Sequence, residues 1–340
     1  MRVVALLLRL ACAYGMAASS LNRAKLPSTP VSLAEVLSTC VDAASRGCAE
    51  ISAVQSRRDA GGELSVAMKD QADVRSALTE ADLAAQRAMI GALRSAWPGL
   101  MIIGEEDEDD AADAADDVTG PPLRRDLCAE LGVPGLEAPL EELCVFVDPL
   151  DGTREFVEGR LANVQSLVGV ARPNPTPTPN PTLTRTLTLT LTPTRTLTLT
   201  LTLTAPHRSP LTLHPHPNQV GVARRGRPVA GAVGLPFAAA GSEPVVVYGL
   251  VGAGTGTRGV RPQAAATSGA PRPVVATGDS TNACLAAARE AALAGGGTAH
   301  VVGGAGHKLL MAAQGEAELA IMHFGTSLWD SCAPGAVVTP

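Results

Sequence analysis

The sequence predicts an α/β protein in two parts, with an antiparallel-sheet unit first and a smaller, mostly parallel α/β unit after it. Three observations carry this. With 340 residues, 46% of them apolar, the chain is long enough to bury a sizeable core in two domains or one large one. Residues 166–172 and 225–236 read together as strand, turn around Arg225-Gly226-Arg227-Pro228, and strand, the pattern of an antiparallel hairpin. After Pro236, short strand-like runs alternate with Ala-rich helical stretches, which is how a parallel unit is written.

The elements follow in order. Ser32-Leu33-Ala34-Glu35 has the form of a capping box, and Leu33, Val36, Leu37, Cys40, Val41 and Ala44 keep one apolar face, so a helix is expected over 32–52. Thr79-Glu80-Ala81-Asp82 opens a second helix, with Leu83, Ile90 and Leu93 on its face, closing before Pro98. Met101-Ile102-Ile103 is expected as a short buried strand ending at Gly104-Glu105, and Val145-Phe146-Val147 as another ending at Asp148. Beyond Pro236, strands are expected at 245–248, 274–276, 300–302 and 319–323, with helices at 282–294 and 306–314.

Composition excludes several partners. The net charge of −6 opposes binding to nucleic acid through its phosphates, and four Phe, two Trp and two Tyr are too few for a stacking platform. The acidity is local: nine of the thirteen residues from Glu105 to Asp117 are Asp or Glu, which reads as a solvated loop beyond its first residue. Seven cysteines, odd in number and without a CxxC pair, fit neither a zinc site nor a disulfide framework and point to a reducing compartment. His214 and His216 look like a metal pair but lie in low-complexity sequence.

Residues 3–14 form an apolar stretch too short to span a bilayer, and no acid precedes Glu35. An organelle transit peptide and an ordinary N-terminus, beginning at Met1 or at Met16, both fit residues 1–30, so cytoplasm and organelle stay open. No longer apolar run suggests a membrane span.

Residues 173–218 hold ten of the 26 prolines and fifteen threonines, as PTPTPNPT followed by Thr-Leu repeats, which could pair as strands. The flanks matter more. Val168-Gly169-Val170-Ala171-Arg172 recurs 52 residues later as Val220-Gly221-Val222-Ala223-Arg224. Removing one copy with the intervening repeats restores the hairpin, so the repeats are expected as an insert at a hairpin connection, where loop-closure cost grows only logarithmically. Retained non-coding sequence accounts for them equally well.

Acids fall where elements end. Asp148-Pro149-Leu150-Asp151-Gly152-Thr153 follows a strand and opens a helix; two carboxylates three residues apart, divided by a rigid proline, can converge on one point. Gly152 lets a ligand approach the backbone, and a helix start at 152–154 offers amides to a phosphate. Carboxylate and carbonyl oxygens suit Mg²⁺. On spacing alone, a capped turn explains the motif as well.

Taken together, IIGEED at 102–107, VDPLDGTREF at 147–156, GGAGHK at 303–308 and WDSCAP at 329–334 occur in an order that resembles the inositol monophosphatase superfamily of Mg²⁺-dependent, lithium-sensitive phosphatases. The stretch 78–107 and the Cys-Ala-Pro after Trp329-Asp330 are most similar to its 3'(2'),5'-bisphosphate nucleotidase branch. The likeness runs from about residue 32 to 338, omitting the insert.

The resemblance implies a sugar-phosphatase-like fold layered α/β/α/β/α. It divides the chain into a phosphatase domain of residues 31–172 plus 220–236, an insert at 173–219, and a second domain at 237–340. It also implies two or more Mg²⁺ ions and a small phosphorylated nucleotide as substrate, with neither nucleic acid nor membrane as partner. Glu105, Asp148, the Leu150 carbonyl and Asp151 are similar to ligands of one Mg²⁺, and Asp148, Asp151 and Asp330 to ligands of a second. Thr153 matches the threonine that helps activate the attacking water, and Asp82 its partner carboxylate. Gly152, Thr153, Gly304 and Lys308 fall where the nucleotidases contact substrate. The simpler readings are a helix cap for Asp82 and Asp330, a solvated lysine for Lys308, and charged loop for Glu106 and Asp107.

Two departures bear on this. Residues 277–282 lack the histidine of the branch's Ser-His pair, which weighs against a preference for a 3'-phosphorylated nucleotide. The chain stops soon after Asp330, where the family continues with further strand and helix, so the second domain is expected to be C-terminally truncated. The expected activity is hydrolysis of the 3'-phosphate of adenosine 3',5'-bisphosphate. An inositol (poly)phosphate phosphatase and a catalytically impaired nucleotide-binding member are the alternatives.

Overall fold

The computed structural model describes residues 13–14, 30–68, 77–106, 121–173, 184–192, 195–202, 223–224, 226–238, 244–259, 274–279, 283–322 and 326–338. Helix α1 (Leu33–Asp59) runs past residue 52, and Leu33, Val36, Leu37, Cys40, Val41 and Ala44 are all buried. Its start differs from the expected capping box. Ser32 makes no side-chain cap bond, because Val31–Ser32 pairs as a short strand with Glu137–Ala138 and Leu136 accepts the Leu33 N–H at 3.0 Å. Tertiary pairing has taken over the cap's task. The capping box forms instead on α2 (Glu80–Ala96), between Thr79 and Asp82.

One six-stranded sheet carries the first part. Its strands are β1 (Met101–Gly104), β2 (Cys144–Asp151), β3 (Gln165–Pro173), β4 (Gly226–Leu235), β5 (Val245–Leu250) and β6 (Gly254–Arg258). They lie in the order β6-β5-β4-β3-β2-β1, antiparallel throughout except for β1 beside β2. Two expectations change here. The strand at 101–103 is an edge strand with Met101 46% exposed, since only β2 flanks it. The strand expected at 245–248 as the first of the parallel unit is β5, paired antiparallel with β4. It continues the meander because Val251 N is bonded back to Val229 O and a short turn leads straight into β6.

The hairpin of β3 and β4 uses the first Val-Gly-Val-Ala-Arg copy, with Val168 opposite Ala232 and Pro173 opposite Gly226. Pro173 and Gly226, which bracket residues 174–225, are therefore neighbours in the sheet. Asn174–Val220 forms a separate unit, in which Thr184–Thr192 pairs antiparallel with Arg195–Thr202, Leu189 opposite Leu197.

Helices α1 and α2 pack together and with the sheet in the largest apolar cluster, which includes Leu37, Ile51, Met89, Leu93, Val145, Val168 and Val246. A second cluster joins Leu167, Val233, Val247 and Leu310 to Ala333 and Val337 of α6 (Leu328–Val338), a helix of 11 residues. What lets α6 lie directly on the sheet is a row of glycines across three strands. Gly169, Gly231 and Gly249 are register partners, and a Cβ on Gly231 would meet the Ala333 carbonyl oxygen at 2.4 Å.

The second sheet holds β7 (Val274–Thr277), β8 (Thr298–Val301) and β9 (Leu319–Ile321), all parallel, in the order β8-β7-β9. Helix α4 (Ala283–Ala294) joins β7 to β8, and α5 (Ala305–Ala313) joins β8 to β9 in the opposite direction. Right-handed crossovers that reverse direction put the two helices on opposite faces. Helix α5 also packs on α6. The layers are therefore α1 and α2, six-stranded sheet, α5 and α6, three-stranded sheet, and α4, which is the α/β/α/β/α arrangement.

Cys40, Cys48, Cys128, Cys144 and Cys332 are buried and outside any disulfide, and burial pushes Cys128 and Cys144 up to about 12, so these two stay protonated thiols. Among the described residues, no helix is long and apolar enough to cross a membrane. The apolar stretch 3–14 apart from Ala13–Tyr14, the acidic residues 107–117, and His214 and His216 lie outside the described residues.

Candidate active site

The parallel pairing of β1 and β2 ends with an acid next on each strand. Gly104 of β1 is the register partner of Val147 in β2, and Glu105 N donates to Val147 O at 3.0 Å, so Glu105 follows on beside Asp148. Past Asp148 the β2 ladder is irregular. Pro149 has no N–H to give it, and Leu150 N turns back to donate to Asp148 Oδ1 at 3.1 Å. The chain then swings through Gly152 at φ 88°, a conformation suited to glycine, into the short helix α3 (Thr153–Val157). Asp330 arrives from α6, seated by the glycine row, and accepts a hydrogen bond from Ser327 N. One carboxylate oxygen each from Asp148, Asp151 and Asp330 lies within 4.8 Å of the others.

Asp151 also caps the N-terminus of α5. Its Oδ1 accepts from Ala305 N at 2.9 Å, and its Oδ2 from Gly306 N at 2.8 Å and His307 N at 3.3 Å. A Cβ at Gly304 would stand 2.7 Å from that Oδ2. Lys308, on the first turn of α5, is buried and donates its Nζ to Gly304 O at 2.6 Å.

Asp82 is fully buried. Its Oδ2 accepts from Thr79 N at 2.8 Å and Thr79 Oγ1 at 2.6 Å, while its Oδ1 faces Thr153 Oγ1 at 3.0 Å. The cap reading and the catalytic reading use different oxygens of one carboxylate.

Burial and mutual charge set the electrostatics. Burial pushes Asp148 well above the usual carboxylate range, and Glu105, Asp151 and Asp330 push it further. Burial also raises Asp330 strongly, with Asp151 and Glu105 adding to it. Asp151 rises to about 6 by burial, restrained by the Lys308 charge and the α5 N–H groups. Asp82 rises to about 6 by burial, against the bonds from Thr79. Burial lowers Lys308. Among the described residues, Lys308 is the lysine beside this cluster, and it cannot offset four acids.

The sequence model of the inositol monophosphatase family matches residues 32–174 and 219–340. The chain belongs to the inositol monophosphatase family. Members of this family are metal-dependent phosphatases acting on small phosphorylated substrates. The chain is 23% identical over 288 residues to 3'(2'),5'-bisphosphate nucleotidase 1 of Dictyostelium discoideum, an alignment covering 82% of this chain and 74% of that protein. It is 38% identical to the human protein of the same name over 96 residues, covering 27% of this chain and 30% of that one. Inositol monophosphatase 3 of Danio rerio is 30% identical over 141 residues, covering 42% of this chain and 40% of that protein. The extragenic suppressor protein suhB of Bartonella henselae matches the fold with a TM-score of 0.50 at 17% identity, over 89% of this chain and 83% of that one.

Within this family fold, the chain brings Glu105, Asp148, Asp151 and Asp330 together, with the Leu150 carbonyl beside Thr153 Oγ1 at 3.1 Å. Gly152, Gly304 and Lys308 border the same cluster. A solvated Lys308 is excluded by its burial, and Glu106 is buried, not charged loop, because its backbone N and O are both bonded to the Gln86 side chain.

Sequence reasoning missed Gln86, the Glu155 network and the pairing of Arg154 with Asp279 at 2.8 Å. Gln86 had a signal, as a polar residue four positions after Asp82 on an otherwise apolar helix face. Glu155 had none: its partners Arg160 and Asn163 are close in sequence, but only folding shows that both converge on the buried carboxylate.

Proposed function

We propose that this phosphatase uses Mg²⁺ to hydrolyse the 3'-phosphate of adenosine 3',5'-bisphosphate, giving AMP and phosphate. The convergence of Asp148, Asp151 and Asp330 within 4.8 Å, beside the Thr153–Asp82 pair, carries the reading. The donors fit the cation. They are all hard oxygens, from Glu105, Asp148, Asp151, Asp330 and the Leu150 carbonyl, and their mutual repulsion calls for a concentrated positive charge. Such an ion, held by these residues, supplies charge neutralisation of the phosphate and a more acidic water.

The chain's own residues do the rest. Thr153 Oγ1 has one proton and two acceptors in reach, Asp82 Oδ1 and Leu150 O; the carboxylate is the stronger acceptor. Donating to Asp82 leaves the Thr153 lone pairs facing a water that must lose a proton. As the water attacks phosphorus, its proton passes to Thr153 and the Thr153 proton to Asp82, while the bond from phosphorus to the ribose 3'-oxygen breaks and that oxygen takes a proton from solvent water, leaving as the 3'-hydroxyl of AMP. Thr79 fixes Asp82 so that it cannot turn away, and its raised pKa makes it a better base than an ordinary aspartate. Gly152, Thr153, Gly304 and Lys308 are the proposed substrate contacts.

Support for the nucleotide comes from the relatives named bisphosphate nucleotidase. One observation favours an inositol phosphate instead, the lack of a histidine in residues 277–282. The test is phosphate release from adenosine 3',5'-bisphosphate and from inositol monophosphate, each with Mg²⁺ and with EDTA. Mg²⁺-dependent release with the higher kcat/KM on the nucleotide is expected. Preference for the inositol ester would replace the substrate, and release unaffected by EDTA would overturn the mechanism.

A further inference from the structure

We propose that Gln86 is a positioning residue for the metal centre, holding Glu105 in place by clamping the peptide groups that follow it. The proposal rests on the metal reading above. Gln86 is 2% exposed on the buried face of α2, among Ala85, Met89 and Ile90. An amide buried there is costly unless both its donor and its acceptor are satisfied. Both are, by one residue: Nε2 donates to Glu106 O at 3.0 Å, and Glu106 N donates to Oε1 at 3.1 Å.

The sheet explains why this clamp is needed. β1 is an edge strand of four residues, and its ladder to β2 ends with Gly104. The next bond, Glu105 N to Val147 O, is the last that the sheet supplies. Gln86 adds a rung past the end of the strand, on the other side of Glu105. The peptides on both sides of the Glu105 Cα are then fixed, one by the sheet and one by α2. Gly104 leaves room for this: a Cβ there would stand 2.5 Å from Gln86 Oε1 and 2.9 Å from Ile90 Cδ1.

Gln86 lies one helical turn from Asp82, so the two project from the same face of α2. One helix thus orients both halves of the site, Thr153 through Asp82 and Glu105 through Gln86. Partners that orient a ligand without touching the ion are worth roughly 10–100-fold in metal affinity. A merely structural amide would lower stability and leave metal affinity alone.

The experiment is calorimetric titration of the full chain with Mg²⁺, as wild type, Gln86→Leu, Gln86→Glu and Thr39→Val, with Tm recorded for each. Thr39→Val is the structural control, since Thr39 Oγ1 accepts a buried hydrogen bond from Trp97 Nε1 at 2.9 Å in the same helix pair, without any tie to the acid cluster. Gln86→Leu is expected to weaken Mg²⁺ binding ~10–100-fold, while Thr39→Val lowers Tm and leaves affinity unchanged. Gln86→Glu keeps the size and the acceptor for Glu106 N but loses the donor; it is expected to weaken binding as well, and it decides the matter should Gln86→Leu not fold. Wild-type affinity in either folded Gln86 variant, or equal weakening in Thr39→Val, would overturn the proposal. Absence of Mg²⁺ binding in the wild type would overturn the metal reading instead.

Discussion

Asp151 and Glu155 are four residues apart across the corner from β2 to α3, equally buried at 5% and 6% exposure, and the fold treats their charges in opposite ways. Burial works to raise Glu155 too, yet it is held below the usual range, because Arg160 grips it with Nε and Nη2 at 2.6 Å each and Asn163 Nδ2 adds a bond at 2.8 Å. Among the described residues, Asp151, Asp148 and Asp330 have only backbone N–H groups and Lys308 against the nearby acids, and all three are raised. Where a buried charge is structural, the chain supplies the counter-charge itself. Where it is not, the chain leaves the charge to a proton or, on the function proposed here, to a bound cation.

The sharpest way to break this contrast is to remove an acid from the uncompensated group. Asp148→Asn should cut phosphate release by ~10³-fold, since several kcal/mol of transition-state stabilisation pass through that position, and steady-state kinetics at saturating Mg²⁺ will show it. Thr153→Val keeps the acids and removes only the hydroxyl between water and Asp82. We expect a loss of ~10²-fold in kcat with Mg²⁺ affinity unchanged.

Stability against pH sharpens the comparison without any substrate. In the metal-free chain the four aspartates hold protons to higher pH than they do unfolded, where the ordinary value is about 3.9. Asp82 and Asp151 titrate at about 6 when folded, and burial and mutual repulsion raise Asp148 and Asp330 well above their ordinary value as well. A raised carboxylate favours the fold fully below pH ~4 and loses that contribution as pH rises through the folded value. Thermal melts in EDTA should therefore show Tm falling from pH 4 to 7, with Mg²⁺ flattening the slope. The smallest effect is expected on the compensated side. Arg160→Ala strips Glu155 of its main partner and should cost about 1–2 kcal/mol by urea denaturation, discounted because Arg160 is half exposed, with the Mg²⁺ dependence of activity unchanged.

Much of this layout was legible in the sequence, and the limits have physical causes. Asp82, Glu105, Asp148, Asp151, Thr153 and Asp330 stand at element ends, where local pattern marks them, and the repeated Val-Gly-Val-Ala-Arg showed which strands to join. The role of β5 was not legible, because a short Val run reads the same in an antiparallel meander as in a parallel unit. Nor was the glycine row: Gly169, Gly231 and Gly249 are unremarkable singly, and only strand register aligns them beneath α6. Asp151 as the cap of α5 joins residues more than 150 positions apart, as does no local motif.

The central claim, that the acid cluster is built for a cation the chain does not supply, is tested most directly by one titration: Tm of the full chain at pH 7.5 against Mg²⁺, for wild type and Asp148→Asn. The account predicts that the metal-free variant melts higher than metal-free wild type, because a repelling charge is gone. It also predicts that Mg²⁺ raises Tm steadily in the wild type and little in the variant. A flat response in the wild type, or an equal rise in both, would contradict it.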